Sequence, residues 1–68
     1  MPVITITLAQ GQASVGQKAE MIRKLTEDST AITGIPAAAF TILFHELPEE
    51  SIGLAGLPLP EFRAAKQQ

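Results

Sequence analysis

Two short alternating runs flanking one amphipathic stretch predict an α+β fold. It is a single β-α-β unit: two parallel strands, one covering helix and a short C-terminal hairpin arm, assembled into an oligomer. Three observations carry this. Residues 2–9 alternate with period two, residues from about 14 to 33 repeat every three to four, and residues 39–46 alternate again. A strand, about 20 residues of helix and a second strand require a crossover, so the strands are expected to be parallel and the connection right-handed.

The first run reads Pro2-Val3-Ile4-Thr5-Ile6-Thr7-Leu8-Ala9. Ile4, Ile6 and Leu8 share one face, and Val3, Thr5 and Thr7 the other. Gln10-Gly11-Gln12 breaks it. Ser14 is a suitable helix N-cap. Val15, Ala19, Ile22, Leu25, Ser29 and Ile32 form one stripe, with Lys18, Glu20, Arg23, Lys24, Glu27 and Asp28 mostly opposite. Gly34 supplies the stop and Pro36 follows it. In the second strand Phe40, Ile42 and Phe44 alternate with Thr41, Leu43 and His45, and Leu47-Pro48-Glu49-Glu50 closes it. Gly53, Gly56, Pro58 and Pro60 favour a hairpin or irregular arm over a helix, with at most one helical turn in residues 61–68.

The helix can cover Ile4, Ile6, Leu8, Phe40, Ile42 and Phe44. Val3 and Leu43 lie on the opposite face, which the chain itself leaves bare. A single domain, 1–68, buries only about 60% of its unfolded surface at this size, and a two-stranded sheet does not stand alone. Cysteine is absent, which removes disulfides and thiolate metal sites, and a single histidine, His45, makes no metal cage. Partner subunits on the bare face and free edges are the remaining source of burial. Five basic against seven acidic residues give a net charge of −2, with no basic stripe for nucleic acid. No apolar run is long enough for a membrane span and no secretory signal opens the chain, so a cytoplasmic protein is expected.

Pro2-Val3-Ile4-Thr5-Ile6, then Gly11, Gln17-Lys18, Pro36, a second strand ending in Glu46, and a Gly53-Leu54-Ala55-Gly56 arm occur in an order that resembles the 4-oxalocrotonate tautomerase family, within the tautomerase superfamily. The resemblance spans nearly the whole chain. It implies keto–enol or double-bond isomerisation of a small 2-oxo acid or related carbonyl compound, without metal or organic cofactor. It implies that Met1 is removed and that the secondary amine of Pro2 is the general base, with a pKa lowered by an apolar pocket or a nearby positive charge. With Met1 retained, that nitrogen is an amide and has no basicity. The resemblance further implies homo-oligomers with active sites where subunits meet, most commonly hexamers built as trimers of dimers, with dimers and trimers also known.

It places substrate contacts at Ala9, Gln12, Thr41 and Ile52. Well-studied members carry arginines at the positions of Gln12 and Thr41 and a phenylalanine at that of Ile52. A charge-assisted hydrogen bond contributes about 1.5–3 kcal/mol against about 1 for a neutral one. A monocarboxylate or neutral carbonyl compound is therefore expected in place of a dicarboxylate. Lys18, Arg23 and Arg63 are the cations available to replace the missing pair, although the two helix residues read more simply as solvated charges. Glu46, Glu49 and Glu50 read as a charged strand end and turn, and His45 as a surface or interface group. Two other readings stand beside this one. A non-catalytic tautomerase-fold oligomer is favoured by the uncharged Gln12 and Thr41 and by Met1 ahead of Pro2. A proline-dependent dehalogenase or hydratase is the other, though such activities go with additional arginines and longer chains.

Overall fold

Alternation in two segments and one long periodic stretch produce the expected β-α-β unit in the structure, a computed structural model that describes residues 1–66. Strand β1 (Val3–Ala9) and strand β2 (Thr41–Leu47) are parallel, in register from Val3 opposite Thr41 to Ala9 opposite Leu47. Helix α1 (Val15–Thr33) connects them. Two-residue strands β3 (Gly53–Leu54) and β4 (Leu57–Pro58) make an antiparallel hairpin, and helix α2 (Leu59–Lys66) follows.

Local chemistry sets the ends of α1. The Ser14 hydroxyl accepts from the Gln17 N–H at 3.1 Å, and the Gln17 side-chain oxygen accepts from the Ser14 N–H at 2.8 Å. This reciprocal capping box satisfies two donors the helix start leaves unpaired. At the other end Gly34 takes the left-handed conformation, φ 78°, and its N–H donates to the Thr30 carbonyl at 2.9 Å. Thr33 contributes to the same stop: its hydroxyl donates to the Ser29 carbonyl and accepts from the Ile35 N–H.

The sheet divides as its alternation requires. Ile4, Ile6 and Leu8 stand opposite Ile42, Phe44 and Glu46, all half-buried on the helix side. On the other face Val3 (52% exposed), Thr5, Thr7, Leu43, His45 and Leu47 are open.

Four expectations are corrected. The second strand begins at Thr41 and not at residue 39, because Pro36 starts a 3₁₀ turn over Ala37–Ala39, residues of low strand preference. The α1 stripe fails over most of its length: Val15 is 81% and Ile32 84% exposed, Ala19 and Ile22 are exposed as well, and only Leu25 and Ser29 are half-buried. A helix of 19 residues is about 28 Å long while strands of seven reach about 23 Å, so its ends overhang the sheet. Lys18 is not on the solvated side; it is half-buried and its Nζ lies 2.7 Å from Glu46 Oε1, so Glu46 is not part of a surface acid cluster. The arm carries an eight-residue helix starting at Leu59, well beyond one turn, since Pro60 falls in the first turn, where a missing N–H costs nothing. Of the expected 61–68 segment, residues 67 and 68 lie outside the described residues.

Three nonlocal contacts hold the arm. The Leu59 N–H donates to the Ile52 carbonyl at 2.8 Å, Leu59 itself is buried, and Arg63 Nη1 meets Glu49 Oε2 at 2.6 Å. Among the described residues only Ala9 and Leu59 are buried. The radius of gyration is 15.7 Å, against about 11 Å for a compact chain of this length. A bare apolar sheet face and an extended shape leave the unit short of burial on its own. Among the described residues no helix is long and apolar enough to cross a membrane.

Candidate active site

Pro2 stands where β1 begins. It is half-buried, and its carbonyl accepts from the Thr41 N–H at 3.0 Å, which ties it to the start of β2. Proline fits this place because the first residue of a strand need not donate to the ladder. Thr41, opposite Val3, is the nearest of the expected contact residues along the sheet.

Ala9, Gln12 and Ile52 gather at the other end of β1, roughly 23 Å away for a seven-residue strand. They line a cavity of about 400 Å³, within the range of small-molecule sites. Its apolar wall is Leu8, Ala9, Leu47, Ile52, Leu54 and Leu59; its polar groups are Thr7, Gln12 and Ser51. No charged side chain among the described residues lines it. The structure thus brings the five expected residues together as two groups, Pro2 with Thr41 and Ala9 with Gln12 and Ile52, at opposite ends of one strand.

Gln12 is held by its own turn. Its N–H donates to the Ala9 carbonyl at 3.2 Å, and its side-chain oxygen accepts from the Ala9 N–H at 2.9 Å. Gly11 at φ 83° takes the third position of this turn, where a positive φ is required and a side chain would be strained. The Ala9 N–H can only donate, so the amide oxygen must face it, and the Gln12 NH₂ is left as the free donor.

The cations weighed as replacements are committed elsewhere. Lys18 pairs with Glu46, Arg63 with Glu49, and Arg23 lies 3.4 and 3.3 Å from Glu20 and Glu27 on the outer face of α1. Arg63 therefore has a defined place on α2. His45 is exposed on the bare face opposite Thr7.

Thr7, Leu8, Leu47, Ser51, Leu54 and Leu59 also line the cavity and were not singled out from the sequence. Their convergence depends on the arm folding back through the Leu59–Ile52 hydrogen bond.

Comparison with known proteins agrees with this architecture. A family model described as tautomerase enzyme matches residues 2–61. A 2-hydroxymuconate tautomerase of Comamonas testosteroni is 33% identical over 61 residues, which cover 90% of this chain and 95% of that one. A 4-oxalocrotonate tautomerase isozyme from Methylibium petroleiphilum superposes with a TM-score of 0.85 at 28% identity, covering 94% of this chain and 98% of that one. A heterohexameric 4-oxalocrotonate tautomerase from Chloroflexus aurantiacus gives 0.82 at 30% identity, covering 93% of this chain and 100% of that one. Matched over nearly its whole length by sequence and by fold, with isomerase activity in general terms as the corollary, this chain belongs to the 4-oxalocrotonate tautomerase family of the tautomerase superfamily.

Proposed function

We propose that the whole chain acts as one tautomerase domain that isomerises a small 2-oxo acid or related carbonyl compound, with the amine of Pro2, freed by loss of Met1, as general base. The observation that carries the reading is the position of Pro2 within a tautomerase chain: it opens β1, half-buried, with its carbonyl fixed by the Thr41 N–H. A ring nitrogen so anchored has a set direction. An apolar site disfavours its protonated form, so it is available to take a proton from the carbon beside a carbonyl and return it to another carbon of the enol or dienol. The chain's residues supply base, walls and hydrogen bonds, and no step in this reading calls on a cofactor.

The base and the cavity lie at opposite ends of β1, so the reading requires a homo-oligomer. β1 pairs with β2 along one edge only. Its other edge offers unpaired N–H and C=O groups. Antiparallel pairing of two such edges sets Pro2 and Thr41 of one chain against Ala9, Gln12 and Ile52 of the other. The bare face with Val3, Leu43 and Leu47 then packs further pairs. A hexamer built as a trimer of dimers satisfies both needs, and the heterohexamer among the relatives supports that count. A cytoplasmic location completes the proposal.

The test is a pH–rate profile on processed protein, with Pro2→Ala beside it. kcat/KM rises with pH as the amine loses its proton, and the variant falls by on the order of 10²–10⁴. An unchanged rate in Pro2→Ala removes the base. One observation favours a second reading, a scaffold without activity: Lys18, Arg23 and Arg63 are all engaged by carboxylates. Mass spectrometry of the natural protein separates the two, since an intact Met1 leaves no amine at Pro2.

A further inference from the structure

We propose that His45 couples the assembly of this chain to pH: copies pack through the bare face of the sheet while its imidazole is uncharged, and protonation drives them apart. The partner is a second copy of the chain. The inference rests on the oligomer proposed above and goes beyond it in making one of its surfaces proton-regulated. It does not depend on the chemistry at Pro2.

The distribution of charge singles out this residue. On the bare face β1 presents Val3, Thr5 and Thr7, and β2 presents Leu43, His45 and Leu47. The ionisable side chains of β1 and β2 are His45 and Glu46 alone. Glu46 lies on the helix side, where Lys18 Nζ stands 2.7 Å from its Oε1. The remaining charged residues belong to α1 or to the arm. In the arm Glu49 is paired with Arg63 at 2.6 Å, and Glu50 and Glu61 are exposed. No strand carboxylate therefore stands on the bare face to balance a protonated imidazole.

This face is also where the chain lacks burial. Val3 is 52%, Leu43 42% and Leu47 37% exposed, and the radius of gyration is 15.7 Å, where about 11 Å suffices for a compact chain. A surface of leucine, valine and threonine without a charge pattern suits a copy of itself and offers no complement to a charged partner. His45 sits within it, opposite Thr7 and between Leu43 and Leu47 along the strand. A neutral imidazole has one donor and one acceptor, which threonine hydroxyls can satisfy once the face is covered. An imidazolium in the same place is a charge buried without an opposite charge, which is strongly unfavourable. Histidine side chains ordinarily change charge at about pH 6.5. The packed state then binds fewer protons than the free chains. Association therefore strengthens as pH rises through that range and weakens as pH falls through it.

Sedimentation equilibrium of the processed full chain, from about pH 8 to about pH 5, tests this on wild type, His45→Gln and His45→Lys. With imidazolium kept out of the packed face, the wild-type association constant falls by up to about thirtyfold per histidine across that range. His45→Gln keeps a neutral hydrogen-bonding side chain and loses this component. The Pro2 amine and the carboxylates are common to both proteins, so their contribution cancels in the comparison. His45→Lys carries its charge throughout and associates at about pH 8 at least about tenfold more weakly than His45→Gln. Circular dichroism at each pH follows folding. Where free chains unfold, the linkage is read from the unfolding midpoint instead: it varies with protein concentration in both proteins, and the histidine-dependent fall with acid occurs in the wild type alone. Parallel pH dependence in wild type and His45→Gln, or equal association of His45→Lys and His45→Gln, overturns the proposal and leaves the oligomer standing. A chain that is monomeric at every pH overturns the shared site as well. None of these measurements uses turnover, so a failure of Pro2 as the base leaves the test intact.

Discussion

The two ends of β1 are built for different tasks. At its start, Pro2 and Thr41 provide a main-chain anchor through the Thr41 N–H and the Pro2 carbonyl. At its finish, Ala9, Gln12 and Ile52 surround a cavity with no group able to serve as a strong base near neutral pH. Under the proposed reading one chain carries two half-sites, and strand length sets the separation between them. On that reading catalysis is a property of paired chains.

Mixing chains breaks that comparison most severely if it is wrong. Pro2→Ala removes the base, and Ile52→Glu places a charge in the apolar wall. Each variant alone is expected to lose on the order of a hundredfold or more in kcat/KM. Coexpressed in equal amounts, they recover about a quarter of wild-type activity, because each site of an isologous pair draws on two chains. Steady-state assay of the purified mixture reads the outcome. No recovery places base and cavity in one chain and refutes the shared site.

The next effect in size falls on the cavity end alone. Leu59 is 7% exposed and its N–H bonds the Ile52 carbonyl, so it is the arm's anchor. Leu59→Ala deletes buried atoms and is expected to cost about 2–4 kcal/mol. Denaturant unfolding at fixed protein concentration measures the loss. The same variant raises KM more than it lowers kcat, since the wall loosens while Pro2 and Thr41 keep their hydrogen bond. Equal loss in both parameters shows that the two ends are not separable.

How much of this was legible beforehand follows the reach of each interaction. β1, α1 and β2 were readable because their signals are local: alternation, Ser14 at the helix start, and Gly34 at the stop. The Lys18–Glu46 pair spans 28 positions and no periodicity announces it. The α1 stripe misled at Val15, Ala19, Ile22 and Ile32 because periodicity says which residues share a face but not how much of that face the sheet beneath covers. In the arm, the glycines and prolines marked turns correctly and hid α2, since a proline at a helix start looks the same as one in a loop. For the candidate site, Pro2, Ala9, Gln12, Thr41 and Ile52 came from family resemblance. Their division between two ends needed only the length of a strand, whereas the turned-in amide of Gln12 needed coordinates.

The Lys18–Glu46 pair bridges α1 to the end of β2 on the cavity side and sharpens the comparison at lower energy. Both side chains are less than a third exposed, whereas those of the Arg23 pairs with Glu20 and Glu27 are more than half exposed. Double-mutant cycles are expected to give a coupling of about 1 kcal/mol for Lys18–Glu46 and a few tenths for either Arg23 pair. Salt separates them as well, because screening acts fully only on exposed charges. Raising ionic strength from about 0.1 to 1 M shortens the screening length from about 10 to 3 Å and erases the Arg23 couplings first. A Lys18–Glu46 coupling as small and as salt-sensitive as those of Arg23 makes the pair an ordinary surface contact. α1 is then held to the sheet by Leu25 and the half-buried residues beside it, and the cavity end owes nothing to that charge.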